Sequence, residues 1–200
     1  MNAHSPLAAV LSLVASAVLV VPATAFEADA TFTKGTYVLS GEGSYGAQWH
    51  LEEKRDQSDI RFWNLGVRVS LLPFGAAGPS ILHGAFEIGL EPLYQRYIEP
   101  SAFWAGVLLV LRYHFVSIGR FVPYVEIAAG PGATDLNVRE ITSNFSFLIW
   151  GGVGASMFLT DTTAVYAGWR YEHNSNGNSS QPNRGFESSV GVFGVSYYLR

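Results

Sequence analysis

The chain has 200 residues, 48% hydrophobic and only 14% charged, against roughly 25% charged in an ordinary soluble domain. Its net charge of −4 offers no basic surface for phosphates, which excludes a nucleic-acid partner. No cysteine is present, which excludes disulfides and thiol chemistry, and the length suits a single domain.

The first element in chain order is a leader. In "PLAAVLSLVASAVLVVPATA" an apolar run from Leu7 to Val21 ends at Pro22. That run is short for a bilayer span and suits the core of a signal peptide. Ala23-Thr24-Ala25 supplies the small-x-small cleavage pattern, although "MNAHSP" before the run carries no Lys or Arg. A retained N-terminal anchor helix is the rival reading. The expected division is therefore a signal peptide over residues 1–25 and a barrel over residues 26–200.

The rest of the chain has no second stretch of about 18 apolar residues. It alternates with a period of two, in segments of about ten residues, as transmembrane barrel strands do. In "RFWNLGVRVSLL" Trp63, Leu65, Val67, Val69 and Leu71 alternate with Asn64, Gly66, Arg68 and Ser70. Phe86, Ile88 and Leu90 alternate with Glu87, Gly89 and Glu91; Phe121, Val125 and Ile127 alternate with Arg120, Tyr124 and Glu126. Phe145, Phe147, Ile149, Val153, Met157 and Leu159 form another apolar face, opposite Ser146, Gly152, Gly154 and Ser156, with Leu148 and Trp150 blurring it. Eight such segments are expected, at about 35–45, 61–72, 84–95, 103–115, 120–130, 144–159, 163–175 and 185–199.

Short turns at 116–119 and 159–163 alternate with long polar stretches at 46–60, 131–143 and 176–184. The fold class is thus all-β, an eight-stranded antiparallel transmembrane β-barrel with tight periplasmic turns and long external loops. A soluble barrel of lipocalin type would point its apolar face inward instead. Trp63, Trp104, Tyr113, Tyr197 and Tyr198, near strand ends, are candidates for the aromatic girdles. Pro123 inside a strand pattern is unexplained at this level. Arg68, Glu87, Glu91, Arg112, Glu126, Arg170 and Glu172 mostly have interior parity and read as a buried charge network in a narrow barrel. Solute or proton conduction is the alternative use for them. His50, His83 and His114 have no ligand spacing, so neither a metal site nor another cofactor is expected.

The last hairpin, "YEHNSNGNSSQPNRGFES", is the polar exception. Val165, Ala167, Trp169 and Tyr171 are the outward set of its first strand, and His173 and Ser175 continue their parity. Phe193, Val195, Tyr197 and Leu199 are the outward set of the second, and Glu187 continues theirs. Polar groups on a lipid-facing wall are costly unless paired. Residues two apart on a strand lie about 6.6 Å apart and cross-strand neighbours about 5 Å apart, so the three can meet. Ser175 would then be nucleophile, His173 base and Glu187 the orienting carboxylate. Glu172 has the wrong parity for that last role, and Asn174 should point inward. A polar strand end running into a loop is the plainer alternative.

The same residues carry a resemblance. His173, Ser175 and Asn176, then Gln181-Pro182-Asn183, then Gly185, Glu187 and Ser188 match in spacing the His-x-Ser-Asn, Gln-Pro-Asn and Gly-x-Glu-Ser elements of one family. The hairpin resembles that of the lipid A 3-O-deacylases of the Gram-negative outer membrane, the PagL family. The resemblance implies an ester hydrolase that removes the 3-hydroxyacyl chain at position 3 of lipid A, without a cofactor. Lipid A or lipopolysaccharide would be substrate, the outer membrane the location, and the site would open to the outer leaflet. By resemblance the Asn183 side-chain amide is one oxyanion donor, and a backbone N–H at Asn176 or Asn178 is the other. A homo-oligomer is compatible with the chain. The final Arg200 departs from the aromatic end of many such barrels. Two other classes remain open: a catalytically silent barrel serving adhesion or envelope stability, and a lipid A acyltransferase.

Overall fold

The computed structural model describes residues 26–51 and 56–200; the expected leader, residues 1–25, lies outside them. Eight strands form the wall: β1 (Tyr37–Gln48), β2 (Arg61–Leu71), β3 (Ala85–Glu99), β4 (Ala102–His114), β5 (Phe121–Thr134), β6 (Phe145–Phe158), β7 (Thr163–Ser175) and β8 (Phe186–Leu199). Each pairs antiparallel with its neighbour in sequence, and β8 closes on β1, with Leu39 opposite Tyr197 and Gln48 opposite Ser188. Closure leaves no strand edge, which a bilayer requires because hydrocarbon offers no partner for an open N–H or C=O.

The period of two decides which face meets what. In β2, Leu65 and Val67 are 58% and 56% exposed on the outside, whereas Arg68 between Val67 and Val69 is 1% exposed. This arrangement is the inverse of a lipocalin-type barrel, so the soluble reading is overturned. An apolar wall of this extent needs lipid against it.

Inside, polar and apolar residues are layered. All seven charged residues of the expected interior set are buried, and Glu42 joins them. Glu126 accepts from Arg112 Nη2 at 2.7 Å and from Arg170 Nε at 2.7 Å. Arg170 also grips Glu42 through both terminal nitrogens, one contact being Nη2 to Oε2 at 2.8 Å. Arg68 lies 3.5 Å from both Glu91 and Glu126. Buried His114 bonds Glu87 Oε2 at 2.7 Å. Apolar layers close this one off at both ends: Phe62, Tyr97, Trp104, Leu148, Trp150 and Phe186 lie in one, and Phe32, Leu72, Val122, Phe158 and Tyr198 in the other. The charged layer thus lies between two packed apolar layers.

The second apolar layer includes a plug. Helix α1 (Ala28–Thr31) folds under the barrel. Phe26 stacks on Phe158 at 4.1 Å, Phe32 stacks on His114 at 4.9 Å, and Thr31 Oγ1 donates to the Asp161 carbonyl at 2.8 Å.

Several expectations need correction. Trp104 and Tyr198 are no part of an aromatic girdle, since even parity turns both inward and leaves them 0% and 1% exposed. Strands β1, β3 and β5 run to Gln48, Glu99 and Thr134, beyond the expected ends. "GPGAT" reads as a breaker, yet Pro131 and Gly132 stay paired with Phe147 and Ser146 because β6 continues alongside. As a result β3 and β4 meet in a tight turn at 100–101, while the segment 72–84 between β2 and β3 is long. Pro123 now has an account. Its carbonyl accepts from Phe115 N–H, so its nitrogen also faces β4, one residue beyond the last β4–β5 pair, His114 with Tyr124. The missing N–H falls where that ladder has ended.

Candidate active site

The register of the last hairpin sets the site. His173 on β7 lies directly opposite Glu187 on β8. Imidazole Nδ1 and carboxylate Oε1 are 3.1 Å apart, with the two side chains 34% and 31% exposed. A carboxylate can only accept, so the proton of this bond sits on Nδ1 and the Nε2 lone pair is left for another donor. Ser175, the final residue of β7, has the same outward parity and stands beside Phe147 of β6. The structure therefore brings His173 and Glu187 into contact. Ser175 lies on their face, but no hydrogen bond joins its hydroxyl to the ring among the described residues. Glu172 and Asn174, of opposite parity, are both 1% exposed in the interior, where Asn174 Nδ2 donates to Tyr97 Oη at 3.1 Å.

The surroundings of the pair are apolar. Phe147 and Ile149 of β6 stand exposed on one side. On the other, Trp49 reaches across β8 and meets Trp169 and Tyr171 edge-on, with ring centroids 6.5 and 6.1 Å away. Its backbone N–H donates to the Glu187 carbonyl at 2.7 Å. Gly185 completes the pocket: its φ is +67°, and a Cβ there would sit 2.8 Å from both the Asn174 carbonyl oxygen and His173 Cε1, and 3.2 Å from Nε2. The imidazole rests on a bare Cα that no other residue type supplies.

The loop between β7 and β8 carries the expected anion donors. Gly177 and Asn178 both have positive φ, +61° and +64°, and Ser179 N–H closes the turn onto the Asn176 carbonyl at 3.1 Å. Asn183 Oδ1 accepts the Asn176 backbone N–H at 2.9 Å, and Asn183 Nδ2 donates to Asn178 Oδ1 at 3.0 Å. The Asn176 donor fixes which end of the Asn183 amide is oxygen. Of the two backbone donors left open by sequence, Asn176 N–H is thus engaged, whereas Asn178 N–H has no acceptor among the described residues.

A second loop, invisible to the sequence reading, holds this one. Residues 140–142 from the β5–β6 connection lie against 180–184. Ile141 bridges Asn183, Arg184 N–H donates to the Glu140 carbonyl at 2.8 Å, and Ser180 Oγ donates to the Thr142 carbonyl at 2.5 Å. The Glu140 carboxylate then takes Gln48 Nε2 at 3.1 Å and Ser58 N–H at 2.7 Å. That side chain ties the β5–β6 connection to the β1–β2 connection, beside a small cavity of about 60 Å³ that Gln48, Glu140, Arg184 and Glu187 help line. Burial pushes the Glu140 carboxyl up, but the Ser58 and Gln48 hydrogen bonds outweigh it and hold the pKa below the ordinary value. A carboxyl depressed on folding stabilises the fold above its unfolded pKa and loses that contribution as pH falls through the folded one. Proteolysis at residues 56–60 should therefore stay slow from neutral pH down to about pH 4 and accelerate below it. Glu140→Gln should show the faster cleavage even at neutral pH, read by gel electrophoresis of the timed digest.

A family model described as lipid A 3-O-deacylase (PagL) matches residues 26–196. None of the curated proteins matches. Among solved structures the chain is similar to the crystal structure of the outer membrane enzyme PagL, with a TM-score of 0.61 at 18% identity over 78% of this chain and 97% of that one. It is also similar to Neisserial surface protein A, NspA, with a TM-score of 0.56 at 14% identity over 82% of this chain and 99% of that one. At such identities the two likenesses establish a shared barrel fold.

Proposed function

The chain belongs to the lipid A 3-O-deacylase (PagL) family of the bacterial outer membrane, and from that premise we propose that it removes the ester-linked 3-hydroxyacyl chain at position 3 of lipid A. The observation that carries this reading is the outward-facing bond between His173 Nδ1 and Glu187 Oε1 at 3.1 Å, with Ser175 on the same face. Residues 1–25 act as the export signal and are removed after Ala25. The hairpin bearing the site then faces the outer leaflet, where the substrate is already dissolved and approaches from the side.

The chemistry runs in two halves. Ser175 Oγ attacks the ester carbonyl carbon while its proton passes to His173 Nε2, and Glu187 stabilises the imidazolium that forms. The carbonyl oxygen becomes an anion that needs donors at about 3 Å. The second amide hydrogen of Asn183 Nδ2 and the backbone N–H of Asn178 serve it. Collapse breaks the bond to the sugar oxygen, which takes the proton back from His173. Water, activated by the same imidazole, then cleaves the acyl-serine and releases a 3-hydroxy fatty acid. Phe147 and Ile149, both exposed beside Ser175 and His173, offer apolar contact for the departing chain.

Mass spectrometry of lipid A from cells expressing the chain is the test. Loss of one 3-hydroxyacyl unit supports the proposal. An unchanged mass ends it in favour of a silent barrel, and a mass gain ends it in favour of acyl transfer.

Gly185 supplies a sharper check on geometry. Gly185→Ala should lower turnover about a hundredfold by moving the imidazole roughly 1 Å. Strain of about 1–2 kcal/mol at the positive φ should leave the barrel folded. Assays on detergent-dispersed lipid A, with heat-dependent gel mobility as the folding control, separate the two effects.

A further inference from the structure

The segment between β2 and β3, "LPFGAAGPSILHG" over residues 72–84, lies at the plug end, far from the site above. It contains no Asp, Glu, Lys or Arg. It is firmly fastened: Leu72 N–H donates to the Thr36 carbonyl and Ala76 N–H to the Phe32 carbonyl, each at 2.9 Å. Ala77 and Gly84 bridge, and His83 Nε2 bonds Asp29 Oδ1 at 2.8 Å. Despite that order its largest side chains are bare, with Phe74 66%, Ile81 75% and Leu82 54% exposed. The turn that presents them holds Ser80 at a left-handed φ of +53°, whereas Gly78 takes its +112° freely. A non-glycine residue held there costs free energy, and no contact among the described residues is gained by exposing Ile81 and Leu82.

The tip sits beside the lipid-facing wall. Tyr113, of outward parity on β4, donates its hydroxyl to the Leu82 carbonyl at 2.6 Å. The tip therefore lies against the outside of the wall, not across the mouth. The next turn, "FVSIG" over 115–119, is also uncharged; Phe115 meets Tyr113 edge-on at 5.1 Å, and Ile118 is 70% exposed. Ile81 and Leu82 are continuous, through Tyr113 and Phe115, with the lipid-facing belt.

We infer that the β2–β3 turn is a membrane foot, whose Ile81 and Leu82 enter the hydrocarbon edge of the phospholipid leaflet at the plug end. Hydrogen bonds to the plug and to Tyr113 hold the foot in place, and the absence of Asp, Glu, Lys and Arg from it lowers the desolvation cost of placing Ile81 and Leu82 in apolar surroundings. It extends the apolar wall of the barrel beyond the last ladder pairs of β3 and β4.

A chain without cysteine makes the test direct. Ile81→Cys and, separately, Leu82→Cys are labelled with a nitroxide, folded into vesicles of phosphatidylethanolamine and phosphatidylglycerol, and checked for folding by heat-dependent gel mobility. Lys34→Cys, on the exposed plug, is the aqueous control. Spin relaxation by oxygen should exceed that by a water-soluble nickel chelate at 81 and 82, and the ratio should invert at 34. Nickel access at 81 and 82 matching that at 34 overturns the proposal. So does a label open to nickel in vesicles but shielded from both reagents in isolated envelopes, since a protein partner would then be the cover.

Discussion

Ser175→Ala is expected to leave lipid A fully acylated in cells, with turnover on purified substrate down by about four to six orders of magnitude. In the proposed mechanism this hydroxyl forms the acyl intermediate, and the proposed anion donors alone leave a small residual rate. The barrel should be unaffected, because Ser175 is the half-exposed last residue of β7. His173→Ala should match it, since the serine then has no base. Glu187→Gln should cost less, about four orders of magnitude: an amide retains the shape but supports the wrong ring tautomer and does not offset the imidazolium charge. Mass spectrometry of lipid A and single-turnover assays check the series. Equal activity of Ser175→Ala and the parent chain would remove the nucleophile from the proposal.

Arg170→Met is expected to cause the largest loss of stability, about 3–5 kcal/mol, with no direct contact to the site. Arg170 is 1% exposed. It bonds Glu42 twice and Glu126 once, and its guanidinium lies 4.4 Å from the Trp150 ring centroid. Removing it leaves the buried Glu42 carboxylate with only the Tyr166 hydroxyl at 2.8 Å while Glu126 keeps Arg112, and the uncompensated Glu42 charge dominates over any packing gain. By contrast Arg61→Ala, which breaks an exposed pair with Asp59 at 3.3 Å, should cost less than about 1 kcal/mol. Guanidinium unfolding in detergent, followed by heat-dependent gel mobility, separates the two. If both variants unfold at the same denaturant concentration, the sealed charge layer contributes nothing to stability.

The candidate site was legible in unequal parts. His173 and Glu187 announced their meeting through shared parity, because a strand repeats every two residues and an antiparallel ladder then fixes the opposite number. Asn183 and Gly185 stood out in a motif, but their physical roles did not. Only coordinates reveal that the Gly185 Cα underlies the imidazole and that Asn183 Oδ1 consumes the Asn176 N–H. Trp49 and Glu140 gave no signal. Each reaches the hairpin from a loop more than forty residues away in sequence, and no local pattern encodes such a contact.

The sequence by itself determined the barrel, its strand count and which residues face lipid, since those follow from local alternation that any closed sheet must respect. It also determined that the interior would carry charge. Only the closed sheet decided where strands end, how the interior charges pair and how the β1–β2 and β5–β6 connections lock against the last hairpin. Those outcomes depend on neighbours brought together by closure of the sheet. A strand continues past an apparent breaker when its partner continues beside it, and a buried charge selects whichever opposite charge the register places within reach.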